Sequence, residues 1–373
     1  MAFLPFTRPT IDEESIRDIA EVLRGGWIAS GPYVLEFEAA LSAYLGRRAV
    51  RVMTSATQAL EIALRVAGIG PGDEVIVPAM SFVATANVVA RVGAKPVFVD
   101  VDLHTRNLLL EDVEHAITSA TRAILPVHFA GLPVDMDRVH ALAGAHRLRV
   151  IEDAAHAIGS SLNGRRIGSF GDLVCFSFHP NKNMTTIEGG AIVASDPSEI
   201  TAIERHRFHG IDRQGDDMDV LFPGGKANMP DVSARLGIAQ LARLDEFNER
   251  RRKLASLYCE RLAALPGLHL PEPGDAGHSW HMFVARLDLA HLTLTRQELI
   301  ERMRERGIGI GIHYPAMHLF TCYRAMGYRS GQFPNAERIG RETITLPLFP
   351  AMSEDDVLRV CDTLGVILED HRR

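Results

Sequence analysis

From residue 49 onward the chain alternates short β-rich runs with helical stretches, and this rhythm restricts the fold more than any single motif. The runs lie at 49–53, 74–77, 95–99, 122–127 and 149–152. Helical periodicities over about 56–67, 81–92, 110–117 and 136–146 separate them. Strands interleaved with helices make βαβ units, and these build a largely parallel sheet with both faces covered. Ahead of this region, Thr10-Ile11-Asp12-Glu13 fits a capping box. The apolar positions Ile16, Ile19, Ala20 and Leu23 continue a helix that Gly25-Gly26 stops. Pro32 opens a second helix, ended by Gly46.

Beyond residue 153 the rhythm changes. Apolar runs at 173–178 and 191–194 flank a polar loop, and an arginine-rich helical region covers about 231–264. Prolines 266, 271 and 273 punctuate the next stretch. His281–Leu287 and Gly307–His313 read as strands of a smaller α+β unit. The expected organisation is a large α/β domain over 1–240, including the N-terminal segment, and a small α+β domain over 241–373.

Composition narrows the function. The 373 residues carry a net charge of −7, which argues against an electrostatic hold on nucleic acid or an anionic membrane. Polar and charged residues break the apolar stretch 75–94, so it reads as strand, turn and buried helix, not a membrane span. The opening Met1-Ala2-Phe3-Leu4-Pro5-Phe6 lacks a basic signal-peptide region. Four scattered cysteines without a CxxC pair suggest neither a zinc site nor a disulfide framework, and a cytoplasmic protein is expected. Of 40 basic residues only four are lysine: Lys95, Lys182, Lys226 and Lys253. Chemistry that needs a side-chain amine has only those candidates.

Nucleotide signatures are absent. Gly68-Ile69-Gly70-Pro71-Gly72 lacks the GxGxxG spacing and precedes a strand, and no GxxxxGK[ST] occurs. His206 and His209, three apart on an expected helix without a cysteine cluster, read as a solvated face, so no metal is expected.

Three segments carry chemistry together. Val150-Ile151-Glu152-Asp153 places an acid at the C-terminal end of a buried strand, where open α/β sheets bind ligands. On its own, Asp153 could equally be a helix N-cap. Some 30 residues later, Cys175-Phe176-Ser177-Phe178-His179-Pro180-Asn181-Lys182 ends a strand in a hydroxyl and then a lysine, before Glu188-Gly189-Gly190. Alone, Lys182 could be a surface lysine. Thr54-Ser55-Ala56-Thr57, between strand and helix, offers backbone amides to an anion or a simple cap.

One cofactor needs all three. Pyridoxal phosphate (PLP) requires a lysine amine that holds it covalently between turnovers. It needs a carboxylate beside its ring nitrogen, a pairing worth about 4 kcal/mol at 4 Å and an effective dielectric of 20. It also requires donors for its phosphate. Phe82, after a strand, could stack on the ring or simply pack in the core.

These residues carry a family resemblance. The chain resembles the DegT/StrS family of PLP-dependent sugar-nucleotide aminotransferases over nearly its full length. The matching blocks include Gly26-Trp27-Ile28-Ala29-Ser30-Gly31-Pro32, Ser55-Ala56-Thr57-Gln58-Ala59-Leu60, Gly70-Pro71-Gly72-Asp73-Glu74-Val75-Ile76 and Pro96-Val97-Phe98-Val99-Asp100. Further along come Glu152-Asp153-Ala154-Ala155-His156, the 176–182 loop, Glu188-Gly189-Gly190 and Leu346-Pro347-Leu348-Phe349-Pro350.

The resemblance implies the aspartate-aminotransferase type I fold, a mostly parallel sheet between helices plus a smaller C-terminal α+β domain, and a homodimer with shared active sites. It implies PLP as cofactor, with Lys182 as the cofactor lysine, Asp153 the ring-nitrogen partner and Phe82 the stacking residue. Ser55, Ala56, Thr57 and Ser177 become phosphate contacts, His156 lies near the ring, and Asn228 reaches the neighbouring subunit's phosphate. Trp27, Ser30, His313 and Tyr314 are the expected substrate contacts. Ala56 and Ile187 replace frequent glycines, and Ala227 a frequent aromatic residue. Within the family the chain is most similar to enzymes that make UDP-4-amino-4-deoxy-L-arabinose for lipid A, through Phe3-Leu4-Pro5-Phe6 and Trp280-His281 among others. The expected reaction moves an amino group from glutamate to a 4-keto nucleotide sugar, UDP-linked and destined for lipopolysaccharide or a related glycan. A PLP-dependent sugar dehydratase, whose relatives carry histidine at the lysine position, and a PLP-binding regulatory protein are the alternatives.

Overall fold

A computed structural model describes residues 2–274 and 277–373. The strands of its first half are β1 (Ala49–Met53), β2 (Glu74–Pro78), β3 (Lys95–Val99), β4 (Thr121–Ile124), β5 (Arg149–Asp153), the two-residue pair β6 (Ser161–Leu162) and β7 (Arg165–Arg166), β8 (Leu173–Ser177) and β9 (Gly190–Ala194). The exposed hairpin β10 (Ile211–Gln214) and β11 (Asp217–Val220) comes next, then β12 (Leu268–His269), β13 (Phe283–Leu287) and β14 (Thr343–Leu346).

Seven strands form the main sheet in the order β1-β9-β8-β5-β4-β2-β3. Only β9 opposes the others. Alternation of side chains along each strand feeds two apolar layers. Val75, Val77, Ala123, Ile151, Leu173, Cys175 and Ile192 pack with the helices α3 (Ala56–Val66) and α4 (Ala84–Arg91). The opposite face packs partly under α2 (Pro32–Tyr44) and α8 (Asp231–Ala242), through Val52, Val174, Phe176 and Val193. The rest of that face lies under α5 (Leu110–Ala116) and α6 (Met136–His146). The strands β8 and β9 are buried at every position, as expected for a sheet covered on both sides.

The second half adds the antiparallel sheet β12-β13-β14. It packs with α9 (Leu244–Leu262) and the helix Glu354–Asp370. Met282, Val284, Ala316, Met317, Tyr323, Ala336 and Ile339 also join the core beneath α3 and α4, so the two halves share packing.

Several expectations need correction. The helix α1 (Glu13–Gly25) is capped by Asp12, which accepts the Ser15 N–H at 2.8 Å, and Thr10 forms no capping box. The stretch 231–264 is two helices, because Arg243 leaves helical geometry. Residues 307–313 form no strand. Leu4 hydrogen-bonds Gly307 and Gly309, and Gly311 pairs with Thr345. His206 and His209 share no helix face, since α7 (Pro197–Arg207) ends before His209 and the His206 ring packs on Phe222 at 4.3 Å. The other helix termini agree with the sequence signals. Gly26 caps α1 with φ +79°, and Pro32 begins α2, whose Gly31, Tyr33 and Val34 N–H groups are accepted by the buried Asp231 carboxylate.

Candidate active site

Because six strands run one way, their C-terminal ends share one edge, with the start of β9 among them. A cavity of about 350 Å³ opens there. Ser55, Ala56 and Thr57 line it from the end of β1, Ser81 and Phe82 from β2, Asp153, Ala155 and His156 from β5, and Ser177 and Lys182 from β8. His313 and Tyr314 close it from the second half of the chain. Parallel strands thus deliver residues more than a hundred positions apart to one hole.

Asp153 sits at the floor, almost fully buried. Its carboxylate accepts the Thr85 hydroxyl at 2.8 Å and the Ala155 N–H at 3.1 Å, which makes it a turn residue and not a helix cap. Burial pushes its pKa up, against the pull of these donors and of the Lys182 charge. Across the cavity, burial lowers the Lys182 ammonium to about 8, with Asp153 opposing the shift. A lysine so placed supplies a free amine near neutral pH.

Ser55 caps α3 by accepting the Gln58 N–H at 3.2 Å, so the cap reading of this turn holds. The Ala56 and Thr57 amides are left at the helix start. Gly190 permits this approach, because a Cβ there would stand 2.4 Å from Ala56 N. Phe82 is half exposed, with its ring 5.9 Å from that of Tyr314.

His156 is neutral. Burial, with the Lys182 charge and the other imidazoles, holds its pKa well below the usual value. Its Nδ1 accepts the Ala130 N–H at 3.3 Å, so its proton resides on Nε2, 3.4 Å from the Tyr314 hydroxyl. Burial and the Lys182 charge lower His313 to about 4, and its Nδ1 is 2.7 Å from the Thr345 hydroxyl.

Trp27, Ser30 and Asn228 do not line the cavity; they form a cluster of their own. The Trp27 indole donates to the Ser30 carbonyl at 3.4 Å, the Asn228 amide to the Ser30 hydroxyl, and that hydroxyl to the Met229 carbonyl at 2.8 Å. Asn228 Oδ1 is buried without a partner.

The sequence reading missed Thr85 and His281. Thr85 is the polar residue on the buried side of α4, a signal visible at 75–94 as an interruption. Ile187 stands at φ +71°, which explains why glycine is frequent there.

The residues fit PLP. A buried carboxyl awaits a cation, a lysine faces it, and a glycine-cleared helix start lies alongside. Residues 9–365 match the DegT/DnrJ/EryC1/StrS aminotransferase family. The chain belongs to this family. It is similar to Spr1654 of Streptococcus pneumoniae, assigned as a sugar aminotransferase and solved in PMP and PLP forms. The PMP form is 33% identical, over 99% of this chain and 98% of that one, with a TM-score of 0.94. The aminotransferase TlmJ of Streptoalloteichus hindustanus is 33% identical over 98% and 99% of the two chains, with a TM-score of 0.92. PseC of Helicobacter pylori, an aminotransferase of pseudoaminic acid biosynthesis, is 26% identical over 99% and 100%, with a TM-score of 0.93. The family match makes this chain a PLP-dependent aminotransferase, with the cofactor bound in PLP and PMP forms in Spr1654. No helix among the described residues is long and apolar enough to cross a membrane.

Proposed function

We propose that this aminotransferase transfers the amino group of glutamate to the keto carbon of a 4-keto nucleotide sugar, UDP-linked, for lipopolysaccharide or a related glycan. The observation that carries the site assignment is the meeting of Lys182, Asp153 and the α3 N-terminus in one cavity. PLP bound there would supply an electron sink for the bonds broken and made at the amino donor's Cα. Lys182 holds the cofactor between turnovers. Once free as a neutral amine, its Nζ would accept the donor's Cα proton and return it later in the transfer. Asp153, ionised once a cationic ring nitrogen faces it, keeps that nitrogen protonated. The Ala56 and Thr57 amides with the Ser55, Thr57 and Ser177 hydroxyls would hold the phosphate, and Phe82 would pack on the ring. The His156 Nε2–H donates toward the cofactor.

A phosphate monoester carries nearly two charges at neutral pH and wants further donors. Asn228, placed outside its own cavity and holding a second amide N–H beyond the one it gives the Ser30 hydroxyl, supports a homodimer in which it donates to the neighbouring phosphate. Trp27 and Ser30, hydrogen-bonded in the same cluster, would border that neighbour's acceptor, while His313 and Tyr314 border their own.

Two measurements test this reading. Borohydride reduction and peptide mapping should find the pyridoxyl group on Lys182, and label on Lys95, Lys226 or Lys253 overturns the assignment. A panel of 4-keto nucleotide sugars with glutamate, monitored by 2-oxoglutarate release, should yield a 4-amino sugar nucleotide. Water loss without amino transfer would support the dehydratase reading instead.

A further inference from the structure

Eight non-glycine residues among those described have positive φ, and only three of these are buried: Arg106, Ala130 and Trp280. All three converge on one place. Ala130, at φ +54°, donates its N–H to His156 Nδ1 and accepts the His281 N–H through its carbonyl at 2.9 Å. Trp280, at φ +48°, immediately precedes His281 and is sandwiched between His278 at 4.2 Å and Phe283 at 5.8 Å. The Arg106 guanidinium stands 5.8 Å over Phe129, whose edge meets His156 at 6.0 Å. Buried left-handed backbone at bulky residues persists only where the surroundings force it, and such strain gathers at sites that need fixed geometry.

What it fixes is a pair of imidazoles. The His281 ring lies 4.5 Å from the His156 ring at 32°. Asn183 spends its amide hydrogens on Asn248 Oδ1 at 2.7 Å and the Ser279 carbonyl at 2.9 Å, so its oxygen accepts from His281 Nδ1 at 3.1 Å. The proton of His281 is therefore on Nδ1, and its buried Nε2 meets no partner. Neither nitrogen serves the cavity, and what His281 offers the site is its face. Nearby, Ser279 donates to the His156 carbonyl at 3.2 Å, and the Ser160 hydroxyl to the Gly131 carbonyl at 2.7 Å, tying the 130, 156 and 279 turns together. A Cβ at Gly131 would stand 2.4 Å from Ser279 Oγ.

We infer that His281 is a positioning residue: its ring, packed 4.5 Å from that of His156 and tilted by 32°, sets the plane of His156, and so the direction of the His156 Nε2–H into the cavity. The inference rests on His156 facing the cofactor, but its first readout needs no cofactor. In ¹⁵N-histidine spectra of the cofactor-free protein, His156 should be neutral with a single Nε2–H tautomer between pH 6 and 8. A tautomer mixture or a titration in that range in the wild-type protein overturns the inference without any variant. Without that ring beside it, the His156 ring in His281→Leu should turn away from the Ala130 N–H that fixes its tautomer, so its signal should become a mixture and PLP binding should weaken at least about tenfold. His281→Phe, which keeps an aromatic face but no N–H, should preserve the tautomer and bind PLP within about threefold of wild type. An unchanged His156 signal in His281→Leu, or equal losses in both variants, refutes ring packing as the cause. If PLP affinity alone fails to change while the tautomer does, His281 still orients His156, and it is the cofactor role of His156 that falls.

Discussion

The cavity at the strand ends and the Trp27–Ser30–Asn228 cluster are built on opposite principles. In the cavity each charged group has its counterpart in the same chain: Asp153 has Thr85 and the Ala155 amide, and Lys182 has Asp153. In the cluster an Asn228 oxygen is buried without a donor, and Trp27 leaves 64% of its surface exposed beside a half-exposed Ile28. A polar site left open beside large apolar side chains that face outward accords with the proposed homodimer, in which a second copy would cover them. The cavity therefore gathers the charged groups of the site within one chain. In the proposed homodimer, the cluster would complete the phosphate site of a second copy.

The largest effect should come from the self-contained region. Asp153→Asn keeps the hydrogen-bond geometry at Thr85 but removes the charge that would meet the cofactor's ring nitrogen. A buried charge pair of this kind is worth several kcal/mol, so kcat should fall by about 10² or more while the melting temperature holds or rises, because a buried carboxyl with a raised pKa is itself costly. A variant within about threefold of wild-type kcat, under ~1 kcal/mol of barrier, would take Asp153 out of this role and make the cavity no more self-sufficient than the cluster.

The next prediction separates the two regions directly. Lys182→Ala and Asn228→Ala homodimers should each be weak, the former nearly dead. Mixed subunits should regain activity, because one of the two sites then holds both intact residues. If heterodimers form and activity stays at the level of the parents, Asn228 serves its own chain and the contrast between the regions collapses.

How much of this was legible depends on how local each cause is. The strands β1 to β5 and the helices between them arise from periodicity within ten to fifteen residues, and Asp153 and Ser177 draw notice at strand ends, with Lys182 in the loop just beyond. Thr85 and His281 do not. Their roles arise from contacts with residues 68 and 125 positions away, which no local pattern carries. The missing strand at 307–313 has a similar cause. Its Ile308 and Ile310 alternate as a strand should, but glycines 307, 309 and 311 let the N-terminal segment and Thr345 take its hydrogen bonds singly. The break at Arg243 carries no glycine or proline signal; there the guanidinium turns to Asp12 and Glu246, contacts that periodicity does not register.

The smallest effect should come from His313, which belongs to the cavity by position and to the second half of the chain by sequence. Its Nδ1 is tied to Thr345, and its ring lies 5.6 Å from Phe6, so packing alone could account for it. Yet it lines the cavity beside Tyr314, and at its depressed pKa of about 4 it stays neutral and is free to hydrogen-bond a sugar hydroxyl through Nε2 at working pH. One lost hydrogen bond to an uncharged group costs about 0.5–1.5 kcal/mol, a few-fold to about tenfold in KM. His313→Ala should therefore raise KM for the nucleotide sugar by that factor and leave KM for glutamate nearly unchanged. An equal change in both half-reactions, with a lowered melting temperature, would assign His313 to packing and leave Tyr314 as the cavity's contact with the acceptor.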